Sequence, residues 1–388
     1  MNLKSIQTKA LLALALCVVI GIGCIVGLMS YFTVENAKGI AIDAVTGSQK
    51  LFTILENREI SKMTAVSDAL IMNTQVRDAF AAKHRSRLLQ LTAPLYPQLK
   101  SQGITNWMFH TPEPGMSVFL RLHNPAKFGD HLNRFIDNEV VRTHGIVAGN
   151  ELARAGFAVR VIRPVYDAKG AIAGYVEFGE ELGQFVHALK NQTGNEYGLL
   201  LSKKYVDRQF WADSSAMWKR RDNWNDNSGY VVADKTTTND NILRFTGDLD
   251  TIPVQGTVLE RYSEGKSQFV RGIFPIHDAA GNTVGAMFVV RDISASYLKM
   301  RRTQDILLAT TVVCFVLGVV LVLNLLNRFI FRRLLHIIHA ATRLVGGDFE
   351  TVIKVESDDE VGQLERLFEQ FRHIFVELMK QMTAMQEK

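Results

Sequence analysis

Two arginines with polar neighbours are the strongest candidates for binding chemistry in this chain of 388 residues. Arg121 lies in the short run SVFLRLHN, and Arg160 lies in the longer run AVRVIRPVY. Because a guanidinium group holds a carboxylate or a similar anion through paired hydrogen bonds, arginines within apolar strands indicate an anion pocket. The predicted ligand-binding residues, which we expect on one face of a sheet, are Arg121, His123, Arg160, Tyr175 and Glu177. Trp107 is predicted as a further pocket residue.

Structural roles compete with ligand binding at two of these positions. A tight turn at residues 167–170 would place Arg160 opposite Glu177 across a hairpin. The two side chains would then form a cross-strand ion pair that locks the hairpin, without contact to a ligand. Trp107 has a comparable alternative, because a tryptophan in a small sheet is often a core residue.

The stretch around Arg160 occurs a second time in the chain. AVRVIRPVYDAKGAIAG, residues 158–174, aligns without a gap with FVRGIFPIHDAAGNTVG, residues 269–285. Asp first and Gly last in DAKG and DAAG favour a tight turn, so each copy is predicted to be a β-hairpin. We expect two tandem domains of similar fold, and chance similarity of two hairpins is the alternative. Arg271 takes the place of Arg160 and is predicted to face Phe288, so the arginine is repeated where the glutamate is not.

Two long uncharged segments, residues 10–32 and 306–327, are predicted to span a membrane. Each is long enough to cross about 30 Å of hydrocarbon as a helix. Lys4 and Lys9 precede the first segment, and several arginines follow the second, which predicts that both ends are cytoplasmic. Residues 33–305 would then lie outside the cytoplasm.

Several classes of site are not expected in this chain. Cys17, Cys24 and Cys314 all lie in the two uncharged segments, so the part between them has no thiol for a disulfide or a metal. The ten histidines show no metal-ligand spacing, and no basic run outside the membrane flanks points to nucleic acid. We find no pattern typical of a catalytic site. The sequence therefore predicts no metal, no cofactor and no enzymatic output.

The part outside the cytoplasm resembles a known class of sensor. Residues 33–93 contain no proline and few glycines, which predicts a stalk of one long helix or two nearly continuous ones, and strand-like runs separated by turns follow Pro94. This stalk, the two hairpin-closed sheets, and the runs FLRLHNPAKFGD and AVRVIRPVYDAKGAIAGYVEFGEEL resemble the double Cache sensors of bacterial receptors, especially sensor kinases. The resemblance implies an α+β fold with two PAS-like antiparallel sheets. It also implies a small-molecule ligand, usually in the half far from the membrane.

The segment after residue 327 resembles a HAMP linker. Two amphipathic helices are separated by Gly346-Gly347, and the second carries apolar residues in an unbroken heptad pattern. HAMP linkers usually have a proline near the start of the first helix, where this chain has Arg333. The resemblance implies a parallel homodimer whose four helices form a bundle. The residues that match the signal-relay motifs are Gly347, Asp348 and Phe349 in the connector and Asp359, Glu360, Val361, Gly362 and Leu364 at the second helix.

Together these features predict a receptor with its parts in a definite order. The predicted parts are a cytoplasmic N-terminus (1–9), a first span (10–32), a stalk helix (33–93), a membrane-distal Cache domain (94–185), a membrane-proximal Cache domain (186–298), a second span (306–327), a HAMP domain (328–380) and the start of a signalling helix (381–388). We expect a homodimer in the bacterial inner membrane with a periplasmic sensor. It would bind a small ligand and relay the signal to a cytoplasmic output domain or partner.

Three other functions stay open at this point. The chain would act as a free-standing sensor subunit if it paired with a separate kinase, cyclase or chemotaxis protein. A membrane-anchored binding protein that does not signal would not need the HAMP helices. An extracytoplasmic enzyme would need a catalytic set of residues, which the sequence does not show.

Overall fold

The computed structural model describes residues 6–112, 115–153, 156–217 and 219–386. The chain divides into two compact units, Val34–Leu298 on the one hand and Met1–Thr33 with Lys299–Lys388 on the other. The predicted segments 1–9 and 381–388 lie partly outside the described residues. The α-helices are α1 (Ile6–Met72), α2 (Thr74–Ala81), α3 (Arg85–Thr92), α4 (Tyr96–Ser101), α5 (Phe135–Thr143), α6 (Gly183–Thr193), α7 (Arg208–Met217), α8 (Ser294–Leu326), α9 (Arg332–Val345) and α10 (Glu360–Gln386).

The strands form two antiparallel sheets with the same topology, which confirms the predicted α+β fold with two tandem sheets. The distal sheet has the order β2-β1-β5-β4-β3, and the proximal sheet has the order β7-β6-β10-β9-β8. The repeated hairpins are β4–β5 and β9–β10, and they occupy equivalent places. The strands are β1 (Asn106–Thr111), β2 (Ser117–Arg121), β3 (Val147–Ala153), β4 (Gly156–Tyr166), β5 (Ile172–Glu181), β6 (Glu196–Ser202), β7 (Tyr230–Lys235), β8 (Thr257–Glu264), β9 (Ser267–His277) and β10 (Thr283–Asp292).

Two helices, α1 and α8, are long and apolar enough to cross a membrane. The helical stretch predicted for residues 33–93 is interrupted at Asn73, whose backbone is extended and whose side chain accepts a hydrogen bond from Val76 N at 3.3 Å. Asn73 therefore caps α2, and the chain from there to residue 92 folds as two short helices instead of a continued stalk.

The predicted register of both hairpins was wrong by two residues. Arg160 lies opposite Gly179 and not Glu177, and Arg271 lies opposite Val290 and not Phe288. The first loop is longer than predicted because it closes through a hydrogen bond from Asp167 N to Ala171 O, at 2.8 Å. A bulge in β5 adds a further residue. A shift of two residues keeps every side chain on its predicted sheet face.

Each of the two repeated hairpins has a bulge, in β5 and in β10, next to a repeated glycine. Gly174 has a φ of +155°, and a Cβ atom there would overlap with the carbonyl oxygen of His110 on β1. At Gly285 a Cβ atom would overlap with the carbonyl oxygen of Leu200 on β6. The glycine is thus repeated because the central strand approaches its neighbour too closely for any side chain.

The two faces of each sheet have different surroundings. One face of both sheets packs in a single hydrophobic core against α1, α2 and α6, with Trp107, Phe178 and Tyr197 among its buried residues. The opposite face of the distal sheet is covered by α5, through an apolar cluster that includes Ile136 and Ile162. The charged residues singled out in the sequence lie on this α5-covered face.

Candidate functional site

A buried carboxylate, Glu177 on β5, is the centre of the polar cluster under α5. It is 0 % exposed and accepts hydrogen bonds from His110 Nε2 at 2.9 Å and Arg160 Nη1 at 2.6 Å. Arg134 donates to both carboxylate oxygens, at 3.0 and 2.6 Å. Burial acts to raise the pKa of Glu177, but the charges of Arg134 and Arg160 outweigh it and hold the pKa well below its usual value of 4.5.

Arg134 is the residue of this cluster that the sequence analysis missed. It lies at the N-cap of α5, where its backbone N–H donates to Asp137 Oδ2 at 3.1 Å and its Nη2 donates to Asp137 Oδ1 at 2.7 Å. Asp137 is fully buried. An acid three residues after the N-cap is a capping pattern, and it was the available signal that Arg134 lies at the start of a helix.

Three polar atoms around Glu177 have no hydrogen-bond partner within the described parts of the chain. They are His110 Nδ1, Arg160 Nε and Glu151 Oε2. Glu151 on β3 is 8 % exposed, and burial raises its pKa to about 7, although Arg134 and Arg160 act in the opposite direction. Because buried polar atoms are normally paired, this face has unused hydrogen-bonding capacity for a small polar molecule.

The two predicted arginines both pair with carboxylates of the protein. Arg160 forms the predicted ion pair with Glu177 even though the two are not directly opposite, and this pair leaves the predicted ligand role of Arg160 open. Arg121 binds Asp130 through two hydrogen bonds of 2.6 Å and donates to Lys127 O at 3.0 Å. This pairing lowers the pKa of Asp130 to about 2.

The remaining predicted site residues are spread over three environments. His123 lies beyond the end of β2 and is exposed, and partial desolvation together with the charge of Arg121 lowers its pKa to about 4. Tyr175 is buried in the apolar cluster with Ile136. Trp107 lies on the opposite sheet face and stacks on Phe178 with 5.3 Å between ring centroids, because residues 107 and 110 of the strand point to opposite faces.

The predicted relay residues Gly347, Asp348 and Phe349 lie in the connector between α9 and α10. Gly347 has a φ of +93°, and Asp348 Oδ2 accepts a hydrogen bond from the Thr351 hydroxyl at 2.7 Å. The ring of Phe349 lies 5.9 Å from that of Phe375 on α10. The hydrogen bond shapes the connector, and the contact between the two rings holds it against α10.

The second motif begins α10. Asp359 accepts a hydrogen bond from Gly362 N at 2.7 Å, and a Cβ atom at Gly362 would overlap with the backbone of Ser357. Arg333, where a proline was expected, is buried and binds Glu365 at 3.0 and 2.7 Å and Asp359 at 2.7 Å. The missing proline is therefore replaced by an ion-paired arginine that ties α9 to α10.

Two protein families match the chain, and together they cover most of it. The dCache_3 family, described as the double sensory domain of two-component sensor kinases, matches residues 47–297. The HAMP domain family matches residues 325–374. No match was found among curated proteins.

Three sensor or ligand-binding domains are among the solved structures that match the chain. The periplasmic domain of Vibrio cholerae LuxQ is 10 % identical with a TM-score of 0.36, and the alignment covers 66 % of this chain and 99 % of that one. The sensor domain of the V. cholerae histidine kinase DctB is 8 % identical, with a TM-score of 0.37 and coverages of 66 % and 98 %. The ligand-binding domain of the Campylobacter jejuni chemoreceptor Tlp3, in complex with L-valine, is 12 % identical, with a TM-score of 0.31 and coverages of 69 % and 95 %.

The family match covers more than half of the chain and coincides with the two sheets described above. The HAMP match coincides with α9, the connector and α10. This chain belongs to the double Cache sensor family and is a bacterial sensor receptor with a HAMP domain.

Proposed function

We propose that this receptor detects a small polar molecule outside the cytoplasm and relays its binding through HAMP to a cytoplasmic output. The observation that carries the proposal is the set of unpartnered atoms around Glu177, namely His110 Nδ1, Arg160 Nε and Glu151 Oε2. A ligand with both donor and acceptor groups would satisfy them. A carboxylate oxygen is the acceptor that the sequence predicts for Arg160, and it would share this arginine with Glu177.

The relay would pass through the tip of the second hairpin. Ala279, in the β9–β10 turn, donates its N–H to Asn150 O on β3 at 2.8 Å, and Asn150 Nδ2 donates to His277 O at 3.2 Å. Ala279 also packs against the apolar cluster under α5. Because β10 ends at Asp292 and α8 begins at Ser294, a ligand that shifts β3 or α5 would move a strand that leads directly into α8.

On the cytoplasmic side we propose a homodimer with two membrane spans per chain and both termini inside the cell. Large apolar residues on α9 and α10 are exposed in the single chain, as the dimer would require: Ile338, Val345, Leu364, Phe371 and Leu378. The output would come from a further cytoplasmic domain or from a separate kinase, cyclase or chemotaxis protein. A binding protein that does not signal is the second candidate, and the HAMP domain argues against it.

Ligand screening by thermal unfolding tests the sensor. The full chain in detergent would be screened against organic acids, amino acids and amines, with tryptophan fluorescence as the readout. We expect a compound that raises the midpoint of the wild type and not of Glu151→Gln, while Glu260→Gln, an exposed charge loss on β8, behaves as wild type. If no compound shows this dependence on Glu151, the proposed ligand face is wrong.

The relay is tested with the same ligand and a reporter kinase fused after the HAMP domain. Asn150→Ala removes the side-chain hydrogen bonds to Glu56 and His277 while it leaves the Glu177 cluster intact. We expect this variant to bind the ligand and to lose most of the kinase response. A full response in Asn150→Ala would exclude the Asn150 side chain from the relay, because, of the hydrogen bonds described between Asn150 and the hairpin tip, only the backbone one from Ala279 N to Asn150 O remains in this variant.

A further inference from the structure

A cavity lies between the two Cache domains and shares no lining residue with the Glu177 cluster. Its volume is about 240 Å³. The distal domain contributes Leu152, Phe157 and Glu181, and the proximal domain contributes residues of β6, β7 and α7. It is smaller than the pockets of about 300–1,000 Å³ that hold drug-sized molecules, so it suits a small ligand.

About half of the cavity wall is apolar. Leu199 and Leu201 project from β6, and Phe210 and Trp211 project from α7 on the other side. Trp211 is 5 % exposed, and its indole Nε1–H has no acceptor in the described part of the chain. Ser214 is 7 % exposed and also lines the cavity. These walls would bind a hydrocarbon body and leave a hydroxyl group available.

The charged groups that line the cavity are three carboxylates, those of Glu181, Asp207 and Asp234, and the guanidinium of Arg220. Glu181, at the end of β5, receives no hydrogen bond from any residue that the structure describes, and burial raises the pKa of its carboxyl. Asp234 lies over the first turn of α6, where a Cβ atom at Gly183 would be 2.6 Å from its Oδ2, and His187 Nε2 is 3.6 Å from its Oδ1. Arg220 donates to Ala233 O and lies 5.7 Å from the Trp211 ring, and its charge offsets part of the effect of burial on the pKa of Glu181 without a hydrogen bond to that carboxylate.

We infer that this cavity binds a small organic cation, an ammonium group on an apolar body, with Glu181 as its main charge partner. An anion would meet three carboxylates, and a neutral apolar molecule would leave the half-buried carboxylate of Glu181 without a hydrogen-bond partner. An ammonium group would satisfy Glu181, and its hydrocarbon part would contact Leu199, Leu201 and Trp211. This site is additional to the ligand face under α5. Since its walls come from both Cache domains, an occupant would bridge them.

Isothermal titration calorimetry on the full chain in detergent tests the inference with 2-phenylethylamine and 3-phenylpropionate. These probes have similar apolar bodies and opposite charges. We expect the amine to bind, the carboxylate not to bind, and Glu181→Gln to weaken amine binding at least tenfold. Glu181→Gln is nearly isosteric and removes no hydrogen bond that the structure records, so it is expected to fold. Glu260→Gln, which removes an equal charge far from the cavity, is expected to bind the amine as wild type does.

A third variant separates this site from the ligand face under α5. Glu151→Gln is expected to retain amine binding, because Glu151 does not line the cavity. Loss of amine binding in Glu151→Gln, equal binding of the carboxylate probe, no binding of the amine to wild type, or an unchanged affinity in Glu181→Gln would each overturn the inference. None of these results depends on a kinase response, so failure of the relay proposal would not affect them.

Discussion

The two sheets have the same strand order and the same bulge beside the repeated glycine, but the α5-covered face of the distal sheet is polar and the equivalent face of the proximal sheet is apolar. In the distal sheet Arg160 lies over Gly179, with its Nη1 only 3.4 Å from where a Cβ atom would stand, and reaches Glu177. In the proximal sheet the equivalent position 111 residues later is Val290. The valine occupies this space, and the repeated arginine cannot take the same path.

Arg271 instead turns to the neighbouring strand β8. Its Nε donates to Glu260 O at 3.1 Å, and its guanidinium lies 5.3 Å from the ring of Tyr262. Phe288 stands where the distal sheet has Glu177 and is fully buried in an apolar cluster with Leu243. The same fold therefore supports two different faces. With Gly179 and Glu177 the distal face is polar, and with Val290 and Phe288 at the equivalent positions the proximal face is a hydrophobic core.

The largest expected effect follows from removal of the charge at the centre of the distal face. Glu177→Gln leaves Arg134 and Arg160 buried without their carboxylate, so we expect the free energy of unfolding to fall by about 3–5 kcal/mol. Phe288→Leu, at the equivalent proximal position, keeps an apolar face and is expected to cost about 1–2 kcal/mol. Urea unfolding of the full chain, followed by tryptophan fluorescence, measures both, because all four tryptophans lie in the sensor unit.

Glu177→Gln and Phe288→Leu are also expected to differ in how their stability depends on pH. The pKa of Glu177 is lowered in the folded protein, so its contribution to stability is present above about pH 4.5 and is lost as the pH falls below that value. Glu177→Gln should therefore remove part of the acid sensitivity, and Phe288→Leu should not. Equal losses of stability in the two variants, at all pH values, would mean that the two faces do not differ as described.

The next prediction tests what the halves share. Gly174→Ala and Gly285→Ala each place a Cβ atom against a carbonyl oxygen of the neighbouring strand. We expect each variant to lose about 1–3 kcal/mol, with a similar effect in both halves because the bulge is the same. Gly229→Ala, at an exposed position without a positive φ where nothing lies within 4 Å, is the control and should cost less. A large effect in only one half would contradict the equivalence of the bulges.

The repeat made the architecture readable from the sequence. Repeated Asp and Gly residues located both hairpins, and alternation along the strands placed Arg160 and Glu177 on one face although the register was wrong by two. The register error has a local cause, a bulge whose glycine is explained only by its contact with a strand about 60–90 residues away in sequence. Such a contact leaves no short-range signal.

The site itself was only half predictable. Arg134 belongs to a helix far from Glu177 in sequence, and only the packing of α5 on the sheet brings the two together. Gly179 gave no sign that it makes room for Arg160, since glycine in a strand has several explanations. Arg121 was selected by its apolar neighbours, but Asp130, its partner, lies in a loop whose path the sequence does not specify.

A smaller effect is expected at Glu151, whose proximal counterpart is Tyr262. Because burial raises the pKa of Glu151 to about 7, the folded protein retains a proton that the unfolded chain loses near pH 4.5. Stability from this group therefore falls as the pH rises from about 4.5 to 7 and stays low above 7. Glu151→Gln is expected to be about 2 kcal/mol more stable than wild type at pH 8 and similar to it at pH 4.5.

Urea unfolding at pH 4.5, 6 and 8 checks this difference curve. Tyr262→Phe, the matched change in the proximal sheet, should show a constant difference from wild type over the same range. A Glu151→Gln variant that is less stable than wild type at pH 8 would indicate that Glu151 is ionised and paired in the folded protein.

The smallest effect is expected at the repeated arginine of the proximal sheet. Arg271→Met removes one good hydrogen bond to a backbone carbonyl and the contact with the Tyr262 ring, which together are worth about 1 kcal/mol. Arg160→Met removes a buried charge from its glutamate and is expected to cost about 3–5 kcal/mol in the same assay. A cost at Arg271 as large as that at Arg160 would mean that the repeated arginine braces both sheets in the same way. The smaller cost is expected because Val290 and Phe288 make the proximal face a hydrophobic core. Arg271 lies at the edge of this core and contacts residues of β8 there.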